Sequence, residues 1–536
     1  MTYRFIISSF ILQLFILPIS VIAQQNCVLI IADDVSPDYF SSFSSTSDTT
    51  TTPFISGLAK SGIRFTNVWA SPICSPTRAG IITGRYSFRT GIGQVITSNS
   101  SPQIDTNEIS IAKLLKMNVS INYSTALVGK WHLNANVPNK RLYPNKLGFD
   151  FYKGNFNGAI TDYYNYPIIH NGSLDTAHQY ASTQTVNDAI NWLGSISNSK
   201  PFFIWVAFNA PHSPYHLPPS NLCNTSNLTG TSGHINSNKS SYFKAAIQAM
   251  DTEIGRLMLY LKQNGLSDST NIIFIGDNGN SADVAQNGNP LHCKNTLYNY
   301  GVHVPMLING PSVKNPNRNC NELVNTSDLF ATIADICSVP NWKSYIPSST
   351  KVDSKSLINI LKNTNATPRT WIFSEQFTDI SALSDGKTIR NNQYQLIKFD
   401  SGVSEFYDLI NDENQNTNLL PLGLTSIQES NYLKLCDTLN TLVNKPLCTP
   451  LQLSETRLFD FNIFPNPTVG KISLLGNESL LGSEITITSL IGEELHYQLW
   501  SMLLMNIELD RFKSGVYIIR VKKDNQIITK KIQLLN

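Results

Sequence analysis

Charge is what this chain has least of. Asp, Glu, Lys and Arg make up 15% of 536 residues and leave a formal net charge of +2, against an average near 25% charged. Nothing in that balance pulls the chain toward nucleic acid or an anionic membrane. Asn, Ser and Thr take over the surface role. Cysteine is also sparse, 8 in all at positions 27, 74, 223, 293, 320, 337, 436 and 448. Such wide, irregular spacing excludes a cysteine-stapled miniprotein and a zinc ribbon. Internal repeats are missing, which excludes a solenoid or propeller. What is plentiful is apolar residue, 41%, enough to exclude a disordered chain. The length calls for two to four folding units.

Residues 1–23 carry Arg4 ahead of an apolar run from Phe5 to Ile22 that ends in Val21-Ile22-Ala23, the pattern of a cleaved secretory signal peptide. A retained membrane anchor is the alternative, weakened by Pro18, Ser8, Ser9 and Gln13. Export permits disulfides, and Cys436 and Cys448 are close enough in sequence for a local bridge.

The middle of the chain alternates apolar runs with helical patterns. Val28–Ala32 ends in Asp33-Asp34, Thr125–Gly129 in Lys130-Trp131-His132, Phe202–Phe208 in Asn209-Ala210-Pro211-His212, and Asn271–Gly276 in Asp277-Asn278; Val304–Ile308 is a fifth run. Near-continuous apolar runs suit parallel strands covered on both faces. Tyr242–Asn264 has the clearest helical spacing; Thr52–Gly62, opened by Pro53, and Ala181–Leu193 are further helices. The predicted fold class is therefore α/β. Ligands of open parallel sheets bind outside the carboxyl ends of strands, and four runs deliver polar groups there.

Asp33, Asp34, Asp277 and Asn278 offer only oxygen ligands, a set for Ca²⁺ or Mg²⁺ rather than zinc or copper. Helix capping explains one residue of each pair and not the doubled carboxylates. In Ser71-Pro72-Ile73-Cys74-Ser75-Pro76-Thr77-Arg78, Pro76 suits a first helical turn, so Cys74 stands at a helix entrance where negative charge is favoured. Arg78 lies four residues on, on the same face. A thiol phosphatase needs Arg six positions after its Cys, and position 80 is Gly. Taken alone, Cys74 reads as a buried or bridged cysteine sooner than as a catalytic one.

Cys-x-Pro-x-Arg followed by Ala79-Gly80-Ile81-Ile82-Thr83-Gly84-Arg85 resembles the signature of the formylglycine-dependent sulfatases of the alkaline phosphatase superfamily. Gly129-Lys130-Trp131-His132-Leu133 resembles their second signature, and Asp33-Asp34 with Gly276-Asp277-Asn278-Gly279 their metal motifs. Lys294-Asn295-Thr296-Leu297-Tyr298 is similar to the segment with their sulfate-binding lysine, and Lys398 with Glu405–Leu409 to their late strands. The resemblance runs over about residues 26–445. It implies a mostly parallel mixed sheet flanked by helices and a smaller C-terminal α+β subdomain, about 365–445, within a catalytic domain of residues 24–445. It implies that a separate maturation enzyme oxidises Cys74 to formylglycine, whose hydrate binds the cation and attacks sulfur. His132 would help deprotonate the second hydroxyl, Arg78 would hold the cluster, Lys130 and Lys294 would bind sulfate oxygens, and His212 would protonate the leaving oxygen, with His216 a competitor. The chain departs from the family where Asn299-Tyr300-Gly301-Val302-His303-Val304-Pro305 replaces a Glu-Gly-Gly-x-Arg-Val-Pro run. The implied activity is sulfate ester hydrolysis on sulfated glycans or aryl sulfates. A phosphoester or phosphonate hydrolase, or an inactive glycan-binding surface protein, remains the alternative. Seven aromatic residues in 149–166, among them Tyr163 and Tyr164, read as loop core or as platforms for sugars.

After a linker at 446–459, short β-rich runs at Lys471–Leu475, Glu484–Leu490, Gly515–Val521 and Ile527–Leu534 predict a terminal all-β sandwich over 460–536. Its opening Phe461–Leu474 and its strand Phe512–Val521 resemble the C-terminal sorting domain of type IX secretion cargo. That implies the bacterial secretion machinery as partner and a secreted or surface-attached product.

Overall fold

The computed structural model describes residues 24–535 except 45, 47, 118–120, 198–199, 287, 365, 367, 379–383, 449–460, 477–479 and 525. The signal-peptide segment and most of the expected linker lie outside the described residues. Two compact units divide between Cys448 and Thr449.

The first unit is built on a ten-stranded sheet. Its strands are β1 (Asn26–Ala32), β2 (Gly62–Trp69), β3 (Ser124–Gly129), β4 (Phe151–Gly154), β5 (Tyr166–His170), β6 (Ser173–Ala177), β7 (Phe202–Ala207), β8 (Thr270–Gly276), β9 (Met306–Asn309) and β10 (Arg318–Asn325). They lie in the order β10-β2-β9-β8-β1-β7-β3-β4-β5-β6. The apolar runs form strands because every residue of β1, β7 and β8 is buried, so no polar face is needed. Helices cover both faces: α1 (Pro53–Lys60), α2 (Cys74–Thr83), α3 (Ala181–Ser195), α4 (Lys239–Gln263) and α5 (Asp328–Ile336). Leu29 and Ile31 of β1 join a core with α2 and α5. Val28 and Ile30 point the other way, into a core with α1, α3 and α4, as the two-residue period of a strand requires.

The expectation of a mostly parallel mixed sheet holds, with one correction of detail. The fifth apolar run forms β9, which pairs antiparallel with both β8 and β2. Burial on two faces makes a run apolar whichever way it points, so hydropathy carries no strand direction.

A four-stranded antiparallel sheet follows, β11 (Ile372–Gln376), β12 (Gly386–Arg390), β13 (Tyr394–Phe399) and β14 (Ser404–Asp408). It packs on α6 (Ser426–Val443) through Leu396, Phe406, Tyr432 and Leu439. A Cys436–Cys448 disulfide closes the end of that helix. The second unit is all-β: β15 (Phe461–Phe464), β16 (Lys471–Gly476), β17 (Glu484–Ser489), β18 (Glu494–Leu499), β19 (Leu504–Glu508), β20 (Gly515–Lys523) and β21 (Gln526–Leu534). Sheets β15-β16-β19 and β18-β17-β20-β21 share one core around Phe461, Ile472, Ile487, Trp500 and Ile519.

Candidate active site

Strands β8, β1, β7 and β3 are consecutive neighbours in the sheet and all parallel. Their carboxyl ends therefore release Asp277-Asn278, Asp33-Asp34, the Asn209–His212 loop and Lys130–His132 side by side. Backbone bonds lock these exits together: Asp33 N donates to Ala210 O, Asp277 N to Ala32 O and Lys130 N to Ala207 O, at 3.1, 3.1 and 2.9 Å. Asp34 and His132 take positive φ, 66° and 56°, conformations uncommon outside glycine and costly unless the surroundings hold them. Cys74 is the first residue of α2 and is buried.

Cys74 Sγ lies 3.6 Å from Asp33 Oδ1, 3.9 Å from Asp34 Oδ1 and 3.5 Å from Lys130 Nζ. Ligand atoms of Asp33, Asp34, Cys74 and Asp277 fall within 4.8 Å of one another. Three cations balance the three carboxylates. Lys130 Nζ donates to Asp33 Oδ2 at 2.5 Å, and Lys294 Nζ to Asp34 at 2.7 Å. Arg78 meets Asp277 Oδ2 through Nε and Nη2, at 3.1 and 2.7 Å, and gives Nη1 to the Lys130 carbonyl at 3.0 Å.

Burial pushes the Cys74 thiol up to about 12, against the pull of Lys130 and Lys294. Unmodified, it is no thiolate at neutral pH, and a thiolate is what a cysteine nucleophile requires. Burial and the charge of Asp33 push the Asp277 carboxyl up to about 6 despite Arg78. A dication would relieve that repulsion. The fit is sharpened by Asn278: its Nδ2 donates to Asp34 Oδ1 at 2.7 Å and to Gly279 O, while its buried Oδ1 has no partner. An unpartnered buried carbonyl oxygen on a residue bonded to Asp34 suits a hard cation. Asp33, Asp34, Asp277 and Asn278 thus fit Ca²⁺ or Mg²⁺.

His132 is buried, and burial with Lys130 and Arg78 holds its pKa well below the usual imidazole value. Its Nε2 faces the Ile96 carbonyl at 3.3 Å, which can only accept, so Nδ1 keeps the lone pair; that buried Nδ1 has no partner. His212 Nδ1 donates to the Ser213 carbonyl at 2.6 Å, turning Nε2 toward Asp34 Oδ2 at 3.5 Å. His216 is elsewhere. It stacks on Tyr163 at 3.7 Å between centroids, its Nε2 meets Tyr180 Oη, and burial lowers its pKa to about 4.

The family departure at 299–305 leaves Lys294 on Asp34. Asn299 Oδ1 accepts from Trp69 Nε1 at 2.9 Å, and His303 Nε2 donates to the Thr66 carbonyl at 2.9 Å, so both replacements brace the fold away from the carboxylates. Of the aromatic residues in 149–166, Phe149, Tyr152, Phe156, Tyr163 and Tyr166 are buried, while Tyr164 is exposed.

A cavity of about 310 Å³ opens over Cys74, His132, His212 and Lys294, walled by Val95, Ile96, Thr97, Asn157, Gly158 and Ala159. Sequence reasoning missed this wall and also Ser75, whose Oγ donates to the His132 carbonyl at 2.8 Å and accepts from Ile96 N at 3.3 Å. Position beside Cys74 was the only signal for Ser75. The wall segments are irregular and carry no periodicity.

Comparison with known proteins agrees with this geometry. The family model described as Sulfatase matches residues 25–339, that of the N-sulphoglucosamine sulphohydrolase C-terminal region matches 290–442, and that of the secretion system C-terminal sorting domain matches 462–534. The chain is 28% identical to arylsulfatase J of Mus musculus over 59% of its own length and 52% of that protein's. It is 31% identical to the uncharacterized sulfatase YdeN of Escherichia coli K12 over 58% and 57%; it thus spans little more than half of these relatives. The crystal structure of Ps i-CgsB in complex with k-i-k-neocarrahexaose superposes with a TM-score of 0.66 at 24% identity, over 81% of this chain and 96% of that one. With the sulfatase model covering more than half of its residues, and the strand-end residues gathered around Cys74, the chain belongs to the sulfatase family.

Proposed function

We propose that the protein is an exported sulfuric ester hydrolase that uses a divalent cation and the hydrated aldehyde of an oxidised Cys74 to cleave O-sulfated glycans or aryl sulfates. The observation that carries this reading is the placement of a protonated, buried Cys74 thiol against three carboxylates and Lys130. A thiol there is a poor nucleophile, whereas a hydroxyl-bearing residue in the same place is well served.

Asp33, Asp34, Asp277 and Asn278 would hold the cation, which would supply Lewis acidity to a hydroxyl on residue 74. The aldehyde hydrate supplies one hydroxyl to attack sulfur and a second whose loss of a proton lets sulfate leave, an exit that serine and cysteine lack. This chain's residues do the rest. Lys130 and Lys294 present ammonium groups to sulfate oxygens as charge builds on them. Arg78 fixes Asp277 through a two-nitrogen contact, so the carboxylate cannot swing away. His132, neutral and with Nδ1 unpartnered, takes a proton from residue 74. His212, its Nδ1–H tied to Ser213, would act as the imidazolium, giving the leaving oxygen the proton of Nε2 and ending neutral with Nδ1–H kept. The similarity to an arylsulfatase and to a fold solved with a neocarrahexaose supports sulfate esters of aryl alcohols or sugars as the substrate class.

The sorting-domain match supports delivery by the bacterial type IX secretion machinery to the cell surface or medium, and the sequence of residues 1–23 supports entry through a signal peptide. Asp33, Asp34, Cys74, Asp277 and Asn278 are the proposed cation site. The domain reading stays as drawn from the sequence, with a catalytic unit to about residue 445 and a sorting unit from about 460.

The deciding experiment is mass spectrometry of the peptide containing residue 74 from natively exported protein, run beside a sulfatase assay. The mass of the aldehyde or its hydrate and activity that tracks it are expected. Full activity from protein whose residue 74 is entirely thiol would sink the mechanism.

A further inference from the structure

The cavity over Cys74 is lined by two unlike sets of residues, and the set without charge bears on the alcohol of the ester. This inference rests on the hydrolase reading above. Beyond His212 and Lys294, no wall residue of the cavity carries a charge. Lys294 Nζ lies 2.7 Å from Asp34 and His212 Nε2 3.5 Å from the same carboxylate, so both stand at the sulfate end of the cavity. The uncharged set is Val95, Ile96 and Ala159 with two polar side chains, Thr97 and Asn157. Both polar residues are exposed to the cavity and solvent. Asn157 is used by the fold only through its backbone, whose carbonyl accepts from Asn155 Nδ2 at 3.0 Å. Thr97 is used only through its N–H, which donates to Ser101 Oγ at 3.3 Å. Among the described residues, the Thr97 hydroxyl and the Asn157 amide have no partner within the chain. At about 310 Å³ the cavity sits at the small end of ligand sites.

We infer that the substrate is the O-sulfate ester of an uncharged hexose, with Thr97 and Asn157 hydrogen-bonding its ring hydroxyls and Val95, Ile96 and Ala159 against its C–H face. A hydroxyl is both donor and acceptor, as Asn and Thr side chains are, so each pairing can be satisfied without charge. A carboxylate on the same ring has no such partner. It would leave water for a wall of aliphatic carbon and, with the lysines taken by the sulfate, meet no further cation in the cavity lining, and burying an unpaired charge is costly. The wall thus selects against uronic acid sulfates while Lys130 and Lys294 hold the sulfate itself. Thr97 and Asn157 are specificity-determining residues here.

The test uses the mature full-length enzyme and three probes: 4-nitrophenyl sulfate, a set of galactose and glucose mono-O-sulfates covering each ring position, and glucuronic acid O-sulfates. At least one hexose sulfate is expected to exceed every uronate sulfate in kcat/KM by about tenfold or more. Asn157→Ala and Thr97→Val are each expected to raise KM for that hexose sulfate about fivefold more than KM for 4-nitrophenyl sulfate, the scale of one lost neutral hydrogen bond. Turnover of 4-nitrophenyl sulfate with uronate sulfates equal or preferred, or with no hexose sulfate cleaved, would overturn the inference and leave the hydrolase reading standing. Equal KM changes on both substrates would also overturn it. Failure on every sulfate ester, 4-nitrophenyl sulfate included, would overturn the hydrolase reading and the inference with it.

Discussion

Gly158 lies flat against the ring of His132: a methyl group built on its Cα would stand 2.4 Å from Cε1 and 2.6 Å from Nε2. The ring cannot retreat, since it is buried and its own backbone N–H donates to the Phe156 carbonyl at 3.2 Å. Glycine is needed here for close approach, not for backbone freedom.

Gly158→Ala is therefore expected to push His132 out of line and lower kcat by about a hundredfold, the scale of a displaced acid–base group. The fold should persist, with the circular dichroism spectrum unchanged. A variant with normal kcat would remove His132 from proton transfer.

Removing divalent cations with a chelator should inactivate the enzyme reversibly, with recovery on adding Ca²⁺ or Mg²⁺. The loss of a ligand that binds only the folded state should also lower Tm. Asp277→Asn is expected to reproduce the activity loss, on the order of a hundredfold or more, because it removes a ligand charge and the nearest carboxylate of Arg78. Activity that survives complete metal removal would refute the cation site.

His212 and His216 separate cleanly. A sugar alcohol leaves poorly without a proton, whereas nitrophenolate leaves well. His212→Ala should slow a sugar sulfate about tenfold or more beyond its effect on 4-nitrophenyl sulfate. His216→Phe, which keeps a ring on Tyr163, should not distinguish the two substrates. Equal losses on both from His212→Ala would assign it to sulfate binding instead.

Outside the site, Arg369 is buried and gives Nε to Asp328 Oδ2 at 2.8 Å, Nη2 to Asp328 Oδ1 and Nη1 to Tyr86 Oη at 3.1 Å. Asp328 also accepts from Asn325 N and Lys355 N. Arg369→Met would strand that carboxylate, and a loss of about 3–5 kcal/mol is expected in denaturant unfolding. A loss under about 1 kcal/mol would show that Asp328 is satisfied by its backbone donors alone.

The second compact unit follows Cys448, and every residue proposed for catalysis lies in the first. A chain ending at Cys448 should hydrolyse sulfate esters in cell extract at the full-length rate and fail to reach the cell surface. A well-folded but inactive truncation would contradict the sorting role.

The sequence by itself determined which chemistry is present. Asp33-Asp34, Lys130–His132, His212 and Asp277-Asn278 follow buried apolar runs, and a buried strand in a parallel layer must release its next residues at the sheet edge. Cys74 before Pro76 marked a helix start on the same logic, and the structure begins α2 at Cys74. These are local signals, carried by hydropathy and backbone chemistry within a few residues. What only the tertiary structure decided is adjacency. Asp34 and Asn278 are 244 positions apart and meet at 2.7 Å because strand order puts β8 beside β1, and nothing in either segment encodes that order. His212 and His216, four residues apart, part company because His216 stacks on Tyr163 while His212 faces Asp34. The antiparallel direction of β9 and the cavity wall at Val95–Thr97 and Asn157–Ala159 were equally silent in sequence. Each depends on which distant surface a segment packs against, and packing energy belongs to the assembled core rather than to any one stretch of chain.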